Sequence, residues 1–174
     1  MTMKEYLLID GYNVISAWQE FAAVREKSLE HARELLVAKI AEYASFKGSV
    51  AVVVFDAQLV PGTAAEEILH GVRVIFTGEG ETADSWIEEF VYAERKSGTR
   101  IYVVTSDYAE QLHVLGAGAY RISAREFREE YIKARKEIAA KLQLPASSLN
   151  RNELGNRVGS GVLEHMERLR RGGR

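Results

Sequence analysis

Short apolar runs punctuate this chain: YLLI at 6–9, VAVVVF at 50–55, VRVIF at 72–76 and IYVV at 101–104. They are rich in β-branched residues and do not alternate with polar ones, the pattern of strands buried on both faces of a parallel sheet. YRI at 120–122 reads as a short fifth strand. Helical spacing fills the gaps. Over 28–46, Leu29, Leu36, Ile40 and Tyr43 recur on one face, with Ser28 placed as N-cap. Over 82–96, Trp86, Phe90 and Ala93 share a face that stops near Gly98. A short helix is expected after Ser106, ending before Gly116. Ser123 and Glu126 have capping-box spacing and open a helix striped by Phe127, Tyr131, Ala134, Ile138 and Leu142. Alternating strand and helix predict an α/β domain with a mainly parallel, five-stranded sheet. The stretch between Phe55 and Val72, with Pro61-Gly62, is open between a helix, a turn and a loop.

Residues 1–144 read as one domain and 145–174 as a basic extension, partly helical or mobile, ending in RLRRGGR. Composition narrows the chemistry. With 174 residues, 47% of them hydrophobic, a real core is available. The cysteine count of 0 excludes disulfides, thiolate catalysis and zinc-thiolate sites. The N-terminus has no long apolar segment and no run approaches a membrane span, so a cytoplasmic protein without membrane contact is expected. The formal charge of -2 is unevenly spread. Residues 1–124 hold 11 Lys and Arg against 18 Asp and Glu, a net of −7; residues 125–174 hold 12 against 7, a net of +5. The basic end suits a polyanion that the acidic part repels; a solvated helix face explains the charges equally well.

Each buried run leads to an acid: Asp10, Asp56, Asp84 and Asp107. In a parallel sheet the carboxyl ends of the strands share one edge, where ligand crevices open. Like charges about 5 Å apart cost roughly 3 kcal/mol at an effective dielectric near 20. A divalent cation, Mg²⁺ or Mn²⁺, removes that cost, and chemistry on phosphate esters is its usual use. Taken singly, each acid has a plainer role. Asp107 and Asp84 suit helix starts, and Asp56 and Asp10 suit turns. Collecting all four on one edge by chance is less plausible. Gly11 lets the chain turn after the first strand, so Asn13 can return its amide to the edge. Thr82 suits an N-cap while Glu81 and Asp84 face the crevice, and Thr105-Ser106 offers hydroxyls beside a helix start. Tyr12 and Trp18 are placed to stack on a base, with core packing the plainer role for Trp18. The histidines lack metal-ligand spacing, and no P-loop, dinucleotide fingerprint or nucleophile elbow occurs.

The motifs LLIDGYNVI, VVVFDA, VIFTGEGETADSWIE, VVTSDYAEQ and GAYRISAREF resemble, in this order, the YacP-like branch of the NYN domains in the PIN-like nuclease superfamily. The likeness runs from about residue 4 to 142. It implies a Rossmann-like sheet of order 3-2-1-4-5 and a metal-binding acidic cluster. By that resemblance Asp10, Asp84 and Asp107 are the central acids, Asp56 follows the second strand, and Asn13 is the asparagine of DGYN. Glu81, Thr82 and Ser106 fall in matching motifs. Many PIN-like nucleases carry a second acid after the ETAD aspartate; this chain has Ser85 there.

The reading that follows is a metal-dependent endoribonuclease leaving 5′-phosphate and 3′-hydroxyl ends. Messenger RNA is its substrate and, by the resemblance, the translating ribosome its partner, with no small-molecule cofactor. Asp10, Asp56, Asp84, Asp107 and Glu81 are the expected metal set. Asn13 and Ser106 orient water or phosphate. Arg125, Arg128, Arg135, Lys136, Arg168, Arg170 and Arg171, with Thr82 and Ser106, hold RNA. The alternative is an RNA- or ribosome-binding module of the same fold whose acids only cap helices. A haloacid-dehalogenase-type phosphatase needs an acid where Tyr12 stands. A receiver domain needs a late lysine that Arg121-Ile122-Ser123 lacks.

Overall fold

The computed structural model describes residues 3–57, 62, 64–96, 98–106 and 118–142. The chain divides into a compact unit, Met1–Ile138, and a second unit, Ala139–Arg174; the architecture described is that of the first. In chain order the elements are β1 (Lys4–Asp10), α1 (Gly11–Ala17), a 3₁₀ turn (Gln19–Phe21), α2 (Ala22–Lys27), α3 (Leu29–Lys47), β2 (Val50–Phe55), β3 (Ala65–Leu69), β4 (Val72–Phe76), α4 (Ala83–Glu94), β5 (Thr99–Val104), β6 (Tyr120–Ile122) and α5 (Ala124–Lys141).

The strands form one sheet of order β3-β4-β2-β1-β5-β6. All neighbours are parallel except β3, which runs antiparallel along the outer edge of β4. Among the described residues the count is therefore six strands, not five. AEEIL carries no apolar run, because an edge strand half in water needs none, and Ile68 is exposed. His70-Gly71 forms the tight β3–β4 turn, with both residues at positive φ (52° and 81°), the geometry of favoured two-residue hairpins. Arg73 and Glu66 then pair across the strands at 2.8 Å.

Successive residues of β1 feed opposite faces, so both sides of the sheet are packed. Leu7 and Ile9 join Val53, Phe55, Ile40 and Phe127 in one core cluster; Tyr6 and Leu8 join Val52, Val54, Ile87 and Val91 in the other. The first cluster centres on Trp18, 1% exposed, whose ring lies 5.5–6.0 Å from those of Phe21, Phe127 and Tyr131. Its indole N–H donates to the Ala124 carbonyl at 2.7 Å. Trp18 is thus a core residue and not a base-stacking platform. Leu142, expected on the α5 stripe, is exposed.

Helix ends follow the local chemistry. The Ser28 hydroxyl accepts the His31 N–H at 3.1 Å and caps α3, and Gly48 closes it in the left-handed region. At the start of α5, Ser123 Oγ accepts the Glu126 N–H (3.1 Å) and Glu126 Oε2 accepts the Ser123 N–H (2.8 Å), a complete capping box. Hydrogen bonding to Ser123, first to its side chain and then to its backbone N–H, holds the Glu126 carboxyl below the usual glutamate range. A depressed folded-state pKa means the stabilisation is full above the unfolded value and is lost as pH falls through the folded one. Ser123→Ala is expected to cost about 1 kcal/mol at neutral pH. In Glu126→Gln the acid limb of the stability–pH curve should flatten below about pH 4.3, the unfolded value. Urea midpoints at pH 7 and pH 3 measure both, and an unchanged acid limb in Glu126→Gln would refute the assignment.

Candidate active site

Register decides what meets at the carboxyl edge. Asp10 pairs with Val54 and Ile9 with Val104, so Asp56 and the Thr105-Ser106 segment leave the sheet on either side of Asp10. Asp10 ends β1 and is also the N-cap of α1: its Oδ1 accepts the Asn13 N–H at 3.3 Å. The expected turn at Gly11 is therefore the first turn of a helix. Gly11 does not need a left-handed backbone; it needs the absence of a side chain. A Cβ there would sit 2.6 Å from Cδ1 of Phe55, a fully buried ring. Gly11→Ala is expected to destabilise the fold by about 1–3 kcal/mol through overpacking. A urea midpoint equal to the wild type would contradict this.

Asn13 points across the edge. Its Oδ1 accepts the Ser106 N–H at 2.9 Å. A backbone donor needs an acceptor, which fixes the carboxamide orientation and leaves the NH₂ group as donor. Ser106 Oγ accepts the Ala124 N–H at 3.1 Å, so Ser106 fastens the exit of β5 to the start of α5.

Asp56 reaches α4 from the next strand, with Oδ2 accepting the Ala83 N–H at 3.4 Å. Thr82 caps the same helix. Its Oγ1 accepts the Ser85 N–H (3.1 Å), and Ser85 Oγ accepts the Thr82 N–H (3.1 Å). Ser85, directly after Asp84, thus completes a capping box. Asp84 lies in the first turn of α4, where a carboxylate complements the helix dipole.

These groups line an open crevice of about 430 Å³, bounded by Asp10, Tyr12, Asn13, Ser16, Asp56, Thr82, Ala83 and Asp84. Of the expected site residues it gathers Asp10, Asn13, Asp56, Thr82 and Asp84. Glu81 is not among them, because its Oε2 turns back to accept the Gly78 N–H at 3.2 Å. Thr77, 2% exposed, locks that loop by accepting from the Ala57 N–H and donating to the Glu81 carbonyl, both at 2.9 Å. Ser106 is likewise absent from the lining, being engaged with Asn13 and Ala124. Asp107, Arg168, Arg170 and Arg171 lie outside the described residues.

Sequence reading missed Ser16 as a lining residue. Asn13 and Ser16 are three apart, the spacing of neighbours on a helix, but 11–17 was not read as one. Tyr12, expected as a stacking surface, is 9% exposed with its ring 5.0 Å from that of Phe55. Its hydroxyl accepts a hydrogen bond from Arg33 at 3.2 Å. Burial pushes the phenol pKa up, and Arg33 opposes the shift.

The basic face of α5 is partly committed. Arg128 bonds Glu20 at 2.9 Å and Arg135 lies 3.7 Å from Glu42. Arg125 is exposed and 3.6 Å from Glu129, and Lys136 is exposed.

Among the described residues the lining contains three carboxylates, an amide and three hydroxyls, those of Tyr12, Ser16 and Thr82, with no lysine or arginine. Such an all-oxygen set suits a hard divalent cation. Among the described residues no three His, Cys, Asp or Glu side chains converge on one metal position. That still fits magnesium, which commonly takes one or two carboxylates and keeps several waters.

The profile of the YacP-like NYN domain matches residues 7–171 of this chain. YacP of Bacillus subtilis, described as an uncharacterized protein, is 40% identical over 168 residues, spanning 97% of this chain and 98% of that one. The crystal structure of Rae1 (YacP) from Bacillus subtilis superimposes with a TM-score of 0.73 at 41% identity, over 96% and 95% of the two chains. A point-mutant form of it gives 0.72 at 39% identity, over 97% and 96%. Among the described residues no helix is long and apolar enough to cross a membrane.

Proposed function

Because this chain belongs to the YacP-like NYN domain family, a nuclease-type domain, we propose that it is a metal-dependent endoribonuclease that cuts messenger RNA on translating ribosomes. The observation that carries the reading is the meeting of Asp10, Asp56 and Asp84 in one crevice, delivered by three separate segments of the chain. Helix capping alone does not explain it. Asp56 and Thr82 both serve the start of α4, while Asp84 faces the same crevice from within the helix.

In this reading Asp10, Asp56 and Asp84 would hold Mg²⁺ or Mn²⁺ directly or through water, with Asp107 the fourth acid that the sequence pattern proposes. An ion bound there would supply a water of lowered pKa and positive charge against the scissile phosphate. Asn13 donates its carboxamide N–H groups to a phosphate oxygen or to the attacking water, and the Ser106 bond keeps it from rotating away. The hydroxyls of Ser16 and Thr82 complete the polar wall. In-line attack by water at phosphorus breaks the bond to the 3′ oxygen. That oxygen leaves with a proton, giving a 3′-hydroxyl and a 5′-phosphate. Arg125 and Lys136 present exposed cations to RNA, while Arg128 and Arg135 brace α5 through their acids. Three carboxylates weaken the capture of free RNA without preventing it, which favours a substrate presented by the ribosome.

Metal removal tests the chemistry. Chelation is expected to stop cleavage of messenger RNA on translating ribosomes, and added Mg²⁺ or Mn²⁺ to restore it, with products that ligate through a 5′-phosphate. Cutting that persists in chelator would refute a metal-dependent site.

A further inference from the structure

Among the described residues the crevice wall has no cation of its own, yet one is bonded to a residue of that wall. Arg33, on α3, donates from Nη1 to the Tyr12 hydroxyl at 3.2 Å, and Tyr12 lines the crevice. The same guanidinium lies 5.7 Å from the centre of the Phe76 ring. Phe76 stacks on Phe55 at 5.6 Å, and Phe55 packs on Tyr12 at 5.0 Å. Arg33 is thus held between a hydroxyl and an aromatic face, both braced by one aromatic stack.

We propose that Arg33 is the phosphate-binding arm of this crevice, gripping the backbone phosphate of an RNA strand next to the one to be cut. This rests on the nuclease reading above and deepens it. A guanidinium has five N–H donors, and Tyr12 engages one edge of the fork. The remaining fork suits the two oxygens of a phosphodiester, and the braced position limits the rotamer entropy lost on binding. Tying this charge to Tyr12, which shares the lining with three carboxylates, gives direction to the site. The strand is drawn in from the α3 side, while the acids face the bond to be broken. A structural arginine needs only the ring and the hydroxyl. It does not need to be bonded to a wall residue of a crevice built from acids, half-buried rather than sealed in the core.

The test uses a labelled single-stranded oligoribonucleotide as probe. Its binding to the wild type, Arg33→Gln, Arg33→Lys and Asp84→Asn is measured across about 50–200 mM KCl, with cleavage of ribosome-borne messenger RNA followed in parallel. Losing one phosphate contact should flatten the slope of log affinity against log salt by about 0.7, the single-strand value. Affinity at the lowest salt should fall about tenfold in Arg33→Gln, with Arg33→Lys restoring the slope but only part of the affinity. A purely structural arginine lowers the melting temperature and leaves the salt slope unchanged. An Arg33→Gln protein with the wild-type slope and affinity overturns the proposal, and so does a wild type with no affinity for the probe at the lowest salt. The two readings fail separately. If the slope flattens in Arg33→Gln but the wild type cuts nothing, the phosphate site stands and the nuclease reading falls. If Asp84→Asn abolishes cutting while Arg33→Gln binds like the wild type, the nuclease reading stands alone.

Discussion

Asp10→Asn is expected to reduce RNA cleavage by at least about 10³-fold while leaving the fold intact. The two halves have different causes. Asparagine is as good an N-cap as aspartate, so the bond from the Asn13 N–H to Oδ1 survives and α1 keeps its first turn. What disappears is the negative charge at the end of the central strand, beside a crevice shared with Asp56 and Asp84. If Asp10 only caps the helix, the substitution changes neither stability nor activity. If it holds a cation, cleavage falls while the unfolding midpoint stays within about 0.5 kcal/mol of the wild type. Single-turnover cleavage and urea unfolding on the same preparation separate the two.

The largest effect on stability is expected at Trp18. Trp18→Ala removes a ring that is 1% exposed and contacts Phe21, Phe127 and Tyr131, at a cost of about 3–5 kcal/mol. It also removes the donor to the Ala124 carbonyl. Against a typical total of 5–15 kcal/mol, the loss is enough to unfold a marginal domain. Trp18→Phe keeps much of the packing and loses the bond, so it should cost about 1–3 kcal/mol. It should also loosen the start of α5, which Ser106 links to Asn13. Activity should then fall more than stability does. Equal midpoints for Trp18→Phe and the wild type would show that the indole bond contributes nothing.

The strands were legible where burial on both faces forces an unbroken apolar run, as in β1 and β2. Asp10 and Asp56 were legible for the same reason, since a parallel sheet delivers residues at or just beyond its strand ends to one edge. Capping at Ser28, Thr82 and Ser123 was legible because N-cap chemistry is local. The helix over Gly11–Ala17 was not. Its seven residues include a glycine, an asparagine and two β-branched side chains, and it is held by the Asp10 cap and by burying Val14 and Ile15. The edge strand β3 was hidden because its register comes from β4 and its His70-Gly71 turn lacks the usual Asn-Gly signal. Glu81 looked like a ligand because it precedes Thr82 and Asp84. Its direction is set instead by the turn that Thr77 closes, which no spacing rule reveals. Arg33 carried no motif at all; its place beside Tyr12 is a tertiary contact across 21 residues of chain.

The most direct test is a map of new 5′ ends on messenger RNA in translating ribosomes, with Mg²⁺ present, for the wild type and for Asp84→Asn. Discrete 5′-phosphate ends with the wild type, absent with the variant, are the result this account predicts. The same ends from both proteins, or none from either despite firm ribosome binding, would contradict it, and the second outcome would leave a binding module of this fold.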